Sequence, residues 1–168
     1  CYRYGFDPQS LTNRRGHRLP LRVPGSTIAR GPALVVGDAA GLIDPLSGEG
    51  IHNAFLSARL AADAIGRYLA GEAPDLTPYQ AAVNQRIMPN LIASHKLQDL
   101  FHQAPSPYVA LLRYSDRFWR ACCHLIRGEL DYAGFVGKLG PLRPLFEAMV
   151  ALARRRHPLP MAKDGARI

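Results

Sequence analysis

Val35-Val36-Gly37-Asp38-Ala39-Ala40-Gly41, followed by Asp44-Pro45-Leu46-Ser47-Gly48-Glu49-Gly50-Ile51, is the stretch on which the reading of this chain turns. Upstream of it, Ala33-Leu34-Val35-Val36 is a short unbroken apolar run that stops at Gly37-Asp38. Such a run predicts a central parallel strand covered on both faces. The segment from Ala39 to Gly50 is rich in glycine, proline and serine, and it empties into a helical pattern. Strand, glycine-rich loop and helix in that order define an α/β unit. An acid at the carboxyl end of such a strand stands where open α/β sheets bind ligands, so Asp38 is a candidate to accept hydrogen bonds from a sugar or sugar-alcohol hydroxyl. Gly48 and Gly50 strip side chains from the helix entry, so that backbone N–H groups at its positive end can meet an electron-rich ligand edge. Pro45 stiffens the approach.

Working outward, residues 51–69 predict a helix with Ile51, Ala54, Phe55, Ala58, Ala61, Ala62, Ile65 and Leu69 on its buried stripe, ending near Gly71. Upstream, Leu19, Leu21 and Val23 alternate through residues 17–23 as a half-buried edge strand broken by Pro20. Downstream the pattern is helical. Thr77-Pro78-Tyr79-Gln80 predicts a capping box opening a helix toward Gln103 with a kink at Pro89; Ser106-Pro107 opens another to about Ile126, and Pro141 a third to Arg156. The pattern divides the chain into residues 1–24 with an edge strand, 25–71 as strand, glycine-rich loop and helix, and 72–168 as a helical region with a loose basic tail.

The 168 residues are 48% hydrophobic and 20% charged, which excludes a disordered tail, a collagen-like repeat and a small disulfide scaffold. The net charge of +8 is lopsided: residues 1–84 hold 8 basic against 7 acidic side chains, and residues 85–168 hold 13 against 6. No apolar run reaches the roughly 18 residues of a membrane span. Cys1, Cys122 and Cys123 read as buried thiols of a reducing compartment, and adjacent cysteines on a helix point too far apart to share a metal. His95 and His102 share a helix face, but no third ligand stands at metal spacing, so no metal is expected. Glu49 reads as a complement to the helix dipole, and Ser47 lacks the partners of acyl-transfer chemistry. Tyr108, Tyr114, Phe118 and Trp119 pack in a core or line an apolar channel. Arg154-Arg155-Arg156-His157 closes an amphipathic helix carrying Leu145, Phe146, Met149, Val150 and Leu152, a pattern suited to an anionic membrane surface and equally to capping the helix end. No nucleic-acid-reading module surrounds these arginines.

Taken together, the motif around Asp38 resembles the second flavin-binding motif of the FAD-dependent oxidoreductases, the family of the aromatic hydroxylases and geranylgeranyl reductases. The likeness is strongest to the geranylgeranyl reductase branch over residues 16–70 and extends weakly to about 146, where Arg127-Gly128-Glu129-Leu130-Asp131-Tyr132 is also similar. The resemblance implies a terminal strand and helix of a Rossmann-like FAD-binding domain followed by a mostly α-helical region, with residues 1–24 the end of a substrate domain, 25–71 the carboxyl-terminal part of the FAD-binding domain and 72–168 the helical region. It implies that Gly37 and Asp38, with Ala39 beside them, hold the ribityl chain, and that Pro45, Gly48, Gly50 and Ile51 line the isoalloxazine. The implied activity is saturation of isoprenoid carbon–carbon double bonds by FAD, reduced by NAD(P)H or another donor, acting on a prenylated lipid from the cytoplasm or the inner face of a membrane. His52-Asn53 departs from many reductases, and Asn53 looks more like the hydroxylases. The Gly-x-Gly-x-x-Gly fingerprint for the ADP half of FAD is absent from the 168 residues. The resemblance therefore implies a carboxyl-terminal piece of a longer enzyme, inactive alone. A hydroxylase-like monooxygenase is the alternative within the family. A non-enzymatic basic helical module binding lipid or nucleic acid is the alternative outside it.

Overall fold

The structure, a computed structural model, describes residues 5, 7, 12, 13, 16, 19–127 and 129–156. The readings made of Cys1, His17, Arg18, Gly128, the side chain of Arg156 and the tail from His157 fall outside them. The described chain is mostly helical. Two short strands, β1 (Ala29–Arg30) and β2 (Ala33–Leu34), precede a 3-10 turn (Gly37–Ala40) and seven helices: α1 (Ile51–Leu69), α2 (Thr77–Arg86), α3 (Met88–Gln103), α4 (Pro105–Tyr114), α5 (Asp116–Ile126), α6 (Tyr132–Gly137) and α7 (Arg143–Arg156).

The strands differ from expectation. β1 and β2 form an antiparallel pair, with Ala29 opposite Leu34 and Arg30 opposite Ala33. Val35 and Val36 are exposed, so the apolar run is not a strand covered on both faces here. The reason is local: two residues, Gly31 and Pro32, return the chain on itself, and the nearest ladder partner is the segment just before. The predicted edge strand survives as one antiparallel bridge, Leu21 to Leu42. Its orientation is reversed, because Leu19, Leu21 and Val23 face outward while Arg22 is buried, its Nη2 donating to the Ser26 carbonyl at 2.7 Å.

α1 has the predicted bounds but buries another face. Asn53, Ser57, Leu60, Ala61 and Ala64 point inward, and Ile51, Phe55, Ile65 and Leu69 are exposed. Two polar side chains settle the rotation. Asn53 Nδ2 donates to the Leu42 carbonyl at 2.9 Å, and the Ser57 hydroxyl accepts the Gly37 amide at 3.0 Å while donating to the Ala54 carbonyl. These bonds satisfy loop backbone groups that would otherwise be buried unpaired.

Of the three helices expected downstream, the first two are each divided, and the third forms to Arg156 as expected. Pro89 lacks the amide that would continue the ladder, so a single kinked helix becomes α2 and α3, separated at Ile87. The capping box does not form: Asp75 Oδ1 accepts from the Thr77 amide at 2.9 Å, and Gln80 Oε1 instead takes the Ile28 amide at 3.0 Å. Ser115 is extended and caps α5 by accepting from the Phe118 amide at 3.3 Å, dividing α4 from α5. α6, for which the sequence offered only its motif, is capped by Asp131, whose Oδ1 accepts from the Gly134 amide at 2.6 Å. α7 begins at Arg143 after a 3-10 turn at Gly140–Leu142.

The interior falls into two parts. A closed core joins Ile28, Leu42, Leu60, Tyr79, Val83, Ile87 and Leu91 with their neighbours from β1, α1, α2 and the start of α3. A smaller cluster of Leu100, Val150 and Ala153, with Tyr108 and Phe146 against it, ties the end of α3 to α7.

Candidate functional site

The loop between the 3-10 turn and α1 is folded by close backbone approaches. Gly37 and Gly41 have φ of +53° and +70°. A Cβ on Gly37 would lie 3.0 Å from Ala54 Cβ, and one on Gly41 would lie 2.9 Å from the Arg22 amide nitrogen. Neither position accommodates a side chain without displacement, which seats the turn directly on α1 and on the residue-22 backbone.

This packing brings Asp38 and Gly50 together. A Cβ on Gly50 would fall 2.5 Å from Asp38 Oδ1 and 3.4 Å from Ile43 Cγ1, so the absent side chain is what lets the carboxylate stand at the start of α1. Asp38 and Ala39 are exposed, as are Gly48 and Ile51, and Gly48 (φ +74°) has open space where a Cβ would point. Gly50 is the N-cap and offers no side chain to the first-turn amides; the His52 amide is met by Glu49 Oε1 at 3.2 Å. Glu49 therefore complements the helix terminus as its position predicts. Ser47 Oγ accepts from the Glu49 amide at 3.2 Å, which fixes the loop.

The other side of the loop is held by α3 and α6, a role the sequence did not announce. Asp44 is buried; its Oδ1 accepts from the Leu46 amide at 2.9 Å and from the Ser94 hydroxyl. Gln98 Nε2 donates to the Pro45 carbonyl at 2.7 Å. The Tyr132 hydroxyl joins Asp44 and Ser47, and burial together with the Asp44 carboxylate pushes its pKa well above the usual phenol value. The one available sequence signal for these anchors was Ser94, a hydroxyl set between Leu91 and Leu97 on the buried face of a helix.

Beyond Leu46 opens an apolar cavity of about 470 Å³ between α3, α4, α5, α6 and α7. Leu46 is the loop's contribution to a wall that includes Leu97, Leu100, Phe118, Phe135 and Phe146. Of the four aromatics singled out in the sequence, Tyr108 and Phe118 line this cavity, whereas Tyr114 and Trp119 are exposed. Cys122 lines it too. Both Cys122 and Cys123 are half-buried rather than buried, and burial and the neighbouring Cys123 raise the Cys122 thiol's pKa.

The remaining candidates are occupied by structure. Asp99 receives Arg154 Nε at 2.6 Å and lies 3.7 Å from His95 Nδ1. Arg154 therefore tethers α7 to α3 instead of extending freely from the helix end, while Arg155 is exposed. On α7, Leu145, Met149 and Leu152 are exposed, whereas Val150 is buried. Among the described residues no group of three or more His, Cys, Asp or Glu could hold a metal ion, and no helix is long and apolar enough to cross a membrane.

The geometry defines a polar loop at a helix N-terminus abutting an apolar, helix-walled cavity. Compared with family models, curated proteins and solved structures, the chain matches none.

Proposed function

We propose that these residues form the carboxyl-terminal part of an FAD-dependent reductase that saturates double bonds of an isoprenoid chain. The observation that carries the reading is Leu46, which belongs at once to the loop bearing the candidate flavin contacts and to the wall of the apolar cavity. Cofactor and substrate chain would thus meet at one loop.

The residues present suit the flavin. Asp38 offers an exposed carboxylate to a ribityl hydroxyl beside the exposed Ala39, the buried Gly37 seats its turn on α1, and the Gly48–Ile51 segment, exposed except at half-buried Gly50, presents backbone to a flat ring. The Pro45 carbonyl is turned away to Gln98, so Pro45 contributes its ring and its rigidity. When bound, FAD supplies hydride transfer, with NAD(P)H or another donor as the electron source. The protein's part is to hold the carboxylate, to direct the α1 amides and to keep water from the apolar cavity. The exposed Val35 and Val36 and the exposed Ile51, Phe55, Ile65 and Leu69 row of α1 support packing against further elements of a Rossmann-like domain. Exposed Leu152 beside Arg155, next to the exposed Leu145 and Met149 at the open side of the cavity, supports contact with an anionic membrane surface, from which a prenylated lipid would be drawn.

The test uses the complete protein encoded by the reading frame that contains this chain. Purified protein is expected to show flavin absorbance and to saturate a prenyl chain without consuming oxygen. Oxygen uptake with a hydroxylated product would place it with the monooxygenases, and lack of flavin would leave a non-enzymatic lipid-binding module. Asp38→Ala is expected to weaken FAD binding tenfold or more, since a charge-assisted hydrogen bond contributes about 1.5–3 kcal/mol, with thermal stability unchanged. Unaltered affinity in the folded variant removes Asp38 from the site.

A further inference from the structure

α4 is a helix without a buried residue. Tyr108 and Leu112, one turn apart, lean on the apolar cavity, and the Tyr108 ring meets that of Phe101 at 62° with centroids 5.7 Å apart. The rest of the helix is exposed, and most of what it exposes is apolar: Val109 is 56%, Leu111 46% and Tyr114 78% exposed, with Arg113 its one charged side chain. α5, which follows after Ser115, adds the charge. Arg117 and Arg120 are exposed on it, Arg127 is exposed just past its end, and Trp119 is more than half exposed as well. We infer that α4 and α5 form a docking edge for an anionic lipid bilayer, with the outer face of α4 and Trp119 entering the interface and the arginines meeting the head groups.

The charge is uncompensated. Residues 104–127 hold four arginines against one aspartate, Asp116. Among the described residues, none of Arg113, Arg117 and Arg120 forms an ion pair. Arg120 Nε donates to a backbone carbonyl, that of Asp116, at 3.3 Å, and the Arg113 guanidinium lies over the Tyr114 ring, 5.5 Å from its centroid. Three guanidinium groups are thus left for an anionic surface, toward which each basic side chain is drawn within a Debye length.

Charge alone would suit any polyanion, and the apolar face of α4 decides between them. A nucleic acid or an acidic protein would pair the arginines and leave Val109 and Leu111 in water. A bilayer interface takes the apolar face of a helix to a depth of about 5–10 Å and seats tryptophan and tyrosine at head-group level. α4, about 15 Å long at 1.5 Å per residue, lies flat in that layer, since no described helix is long and apolar enough to cross it. The edge is distinct from the α7 surface offered above, and anchoring by it needs neither flavin nor turnover.

The test is cosedimentation of the complete protein with vesicles of phosphatidylcholine alone and of phosphatidylcholine mixed with phosphatidylglycerol. Wild type is expected to bind the mixed vesicles at least tenfold more tightly, with the difference fading as salt rises. Arg117→Gln with Arg120→Gln should weaken binding to mixed vesicles about tenfold or more, at about fivefold for each arginine. Val109→Asp with Leu111→Asp, both exposed, should weaken it about tenfold or more with the melting temperature unchanged, and Leu152→Asp on α7 by no more than about twofold. In the 168-residue chain Trp119 is the sole tryptophan, so its emission is expected to move to shorter wavelength on adding mixed vesicles and to be quenched by brominated lipid. Unchanged emission overturns the inference, as does loss of binding on the α7 substitution but not on the α4 pair. Equal binding by wild type and the arginine variant also overturns it. Binding to a single-stranded oligonucleotide without binding to either vesicle would overturn it in favour of a nucleic acid. Flavin is not needed for any of these readings, so each stands whether or not the complete protein carries FAD.

Discussion

The two interiors of this chain are built to different standards. Around α1, α2 and the start of α3, thirteen buried hydrophobic residues make a closed core in which Leu42, Tyr79 and Val83 have no exposed surface. Around the end of α3 and α7, three buried residues stand beside an open cavity whose walls include half-exposed Phe101 and well-exposed Leu142. Helices in the first region are tied by polar side chains to the loop backbone; in the second, α3 and α7 are joined by a small cluster and by the Lys96–Glu147 and Arg154–Asp99 ion pairs, with an open apolar space beside them. Stability is thus concentrated where the loop is positioned, and unfilled apolar surface is concentrated where a ligand would sit.

The contrast can be broken most directly by truncating one aromatic on each side. Tyr79→Ala removes a buried ring and the hydroxyl that donates to the Val35 carbonyl at 2.9 Å, so a loss of about 3–5 kcal/mol is expected in urea unfolding. Phe101→Ala, at a cavity wall already 37% exposed, should cost about 1 kcal/mol. Equal losses would mean that the second region is as tightly packed as the first. Next in size is Gly41→Ala. Its left-handed backbone and the 2.9 Å approach to the Arg22 amide should cost about 1–3 kcal/mol, whereas Gly137→Ala, near the cavity with open space around it, should be neutral or slightly stabilising.

Cys122→Leu adds hydrocarbon to the cavity and is expected to leave stability unchanged or raise it by about 1 kcal/mol, while Ala64→Leu in the closed core should cost about 1–3 kcal/mol. Thermal melts of the two variants decide it. The smallest effect concerns alkaline pH. Tyr132 has a folded pKa above its unfolded value of about 10, so its contribution to stability is complete below that pH and is lost as pH rises through the folded value. Burial raises Tyr79 and Tyr108 in the same direction. Tyr132→Phe should make the alkaline fall in stability shallower, and an unchanged slope would show that the fall comes from other groups.

The sequence carried the local signals well and the tertiary ones poorly. The bounds of α1 followed from its period and from Gly71, because both are written within the helix and its flank. Its buried face did not follow, since hydrophobic periodicity counts Asn53 and Ser57 as outward-facing, and their bonding to Leu42 and Gly37 depends on a loop folding back. Ala33–Val36 carries the composition of a central strand, but ladder partners are a property of the surroundings, and here it meets Ala29–Arg30. Gln80 was read as half of a capping box and is spent instead on Ile28, a choice between two nearby amides that spacing alone cannot make. At the candidate site, Asp38 and Gly50 were legible singly, as an acid after an apolar run and a bare helix entry, but their approach to one another was not, because it depends on the turn at Gly37 seating against α1. The Asp44 anchors and the cavity were not, because they assemble from α3, α6 and α7, far apart in the chain.

One feature of α3 binds these two regions mechanically. Ser94 and Gln98 hold the loop at Asp44 and Pro45, and Leu97 and Leu100, on the same two turns, form the cavity wall. A rigid rod that is at once clamp and wall cannot shift for one without shifting for the other. Any occupant that presses α3 outward pulls on the loop, and any group that tightens the loop reshapes the cavity, with equal coupling in both directions.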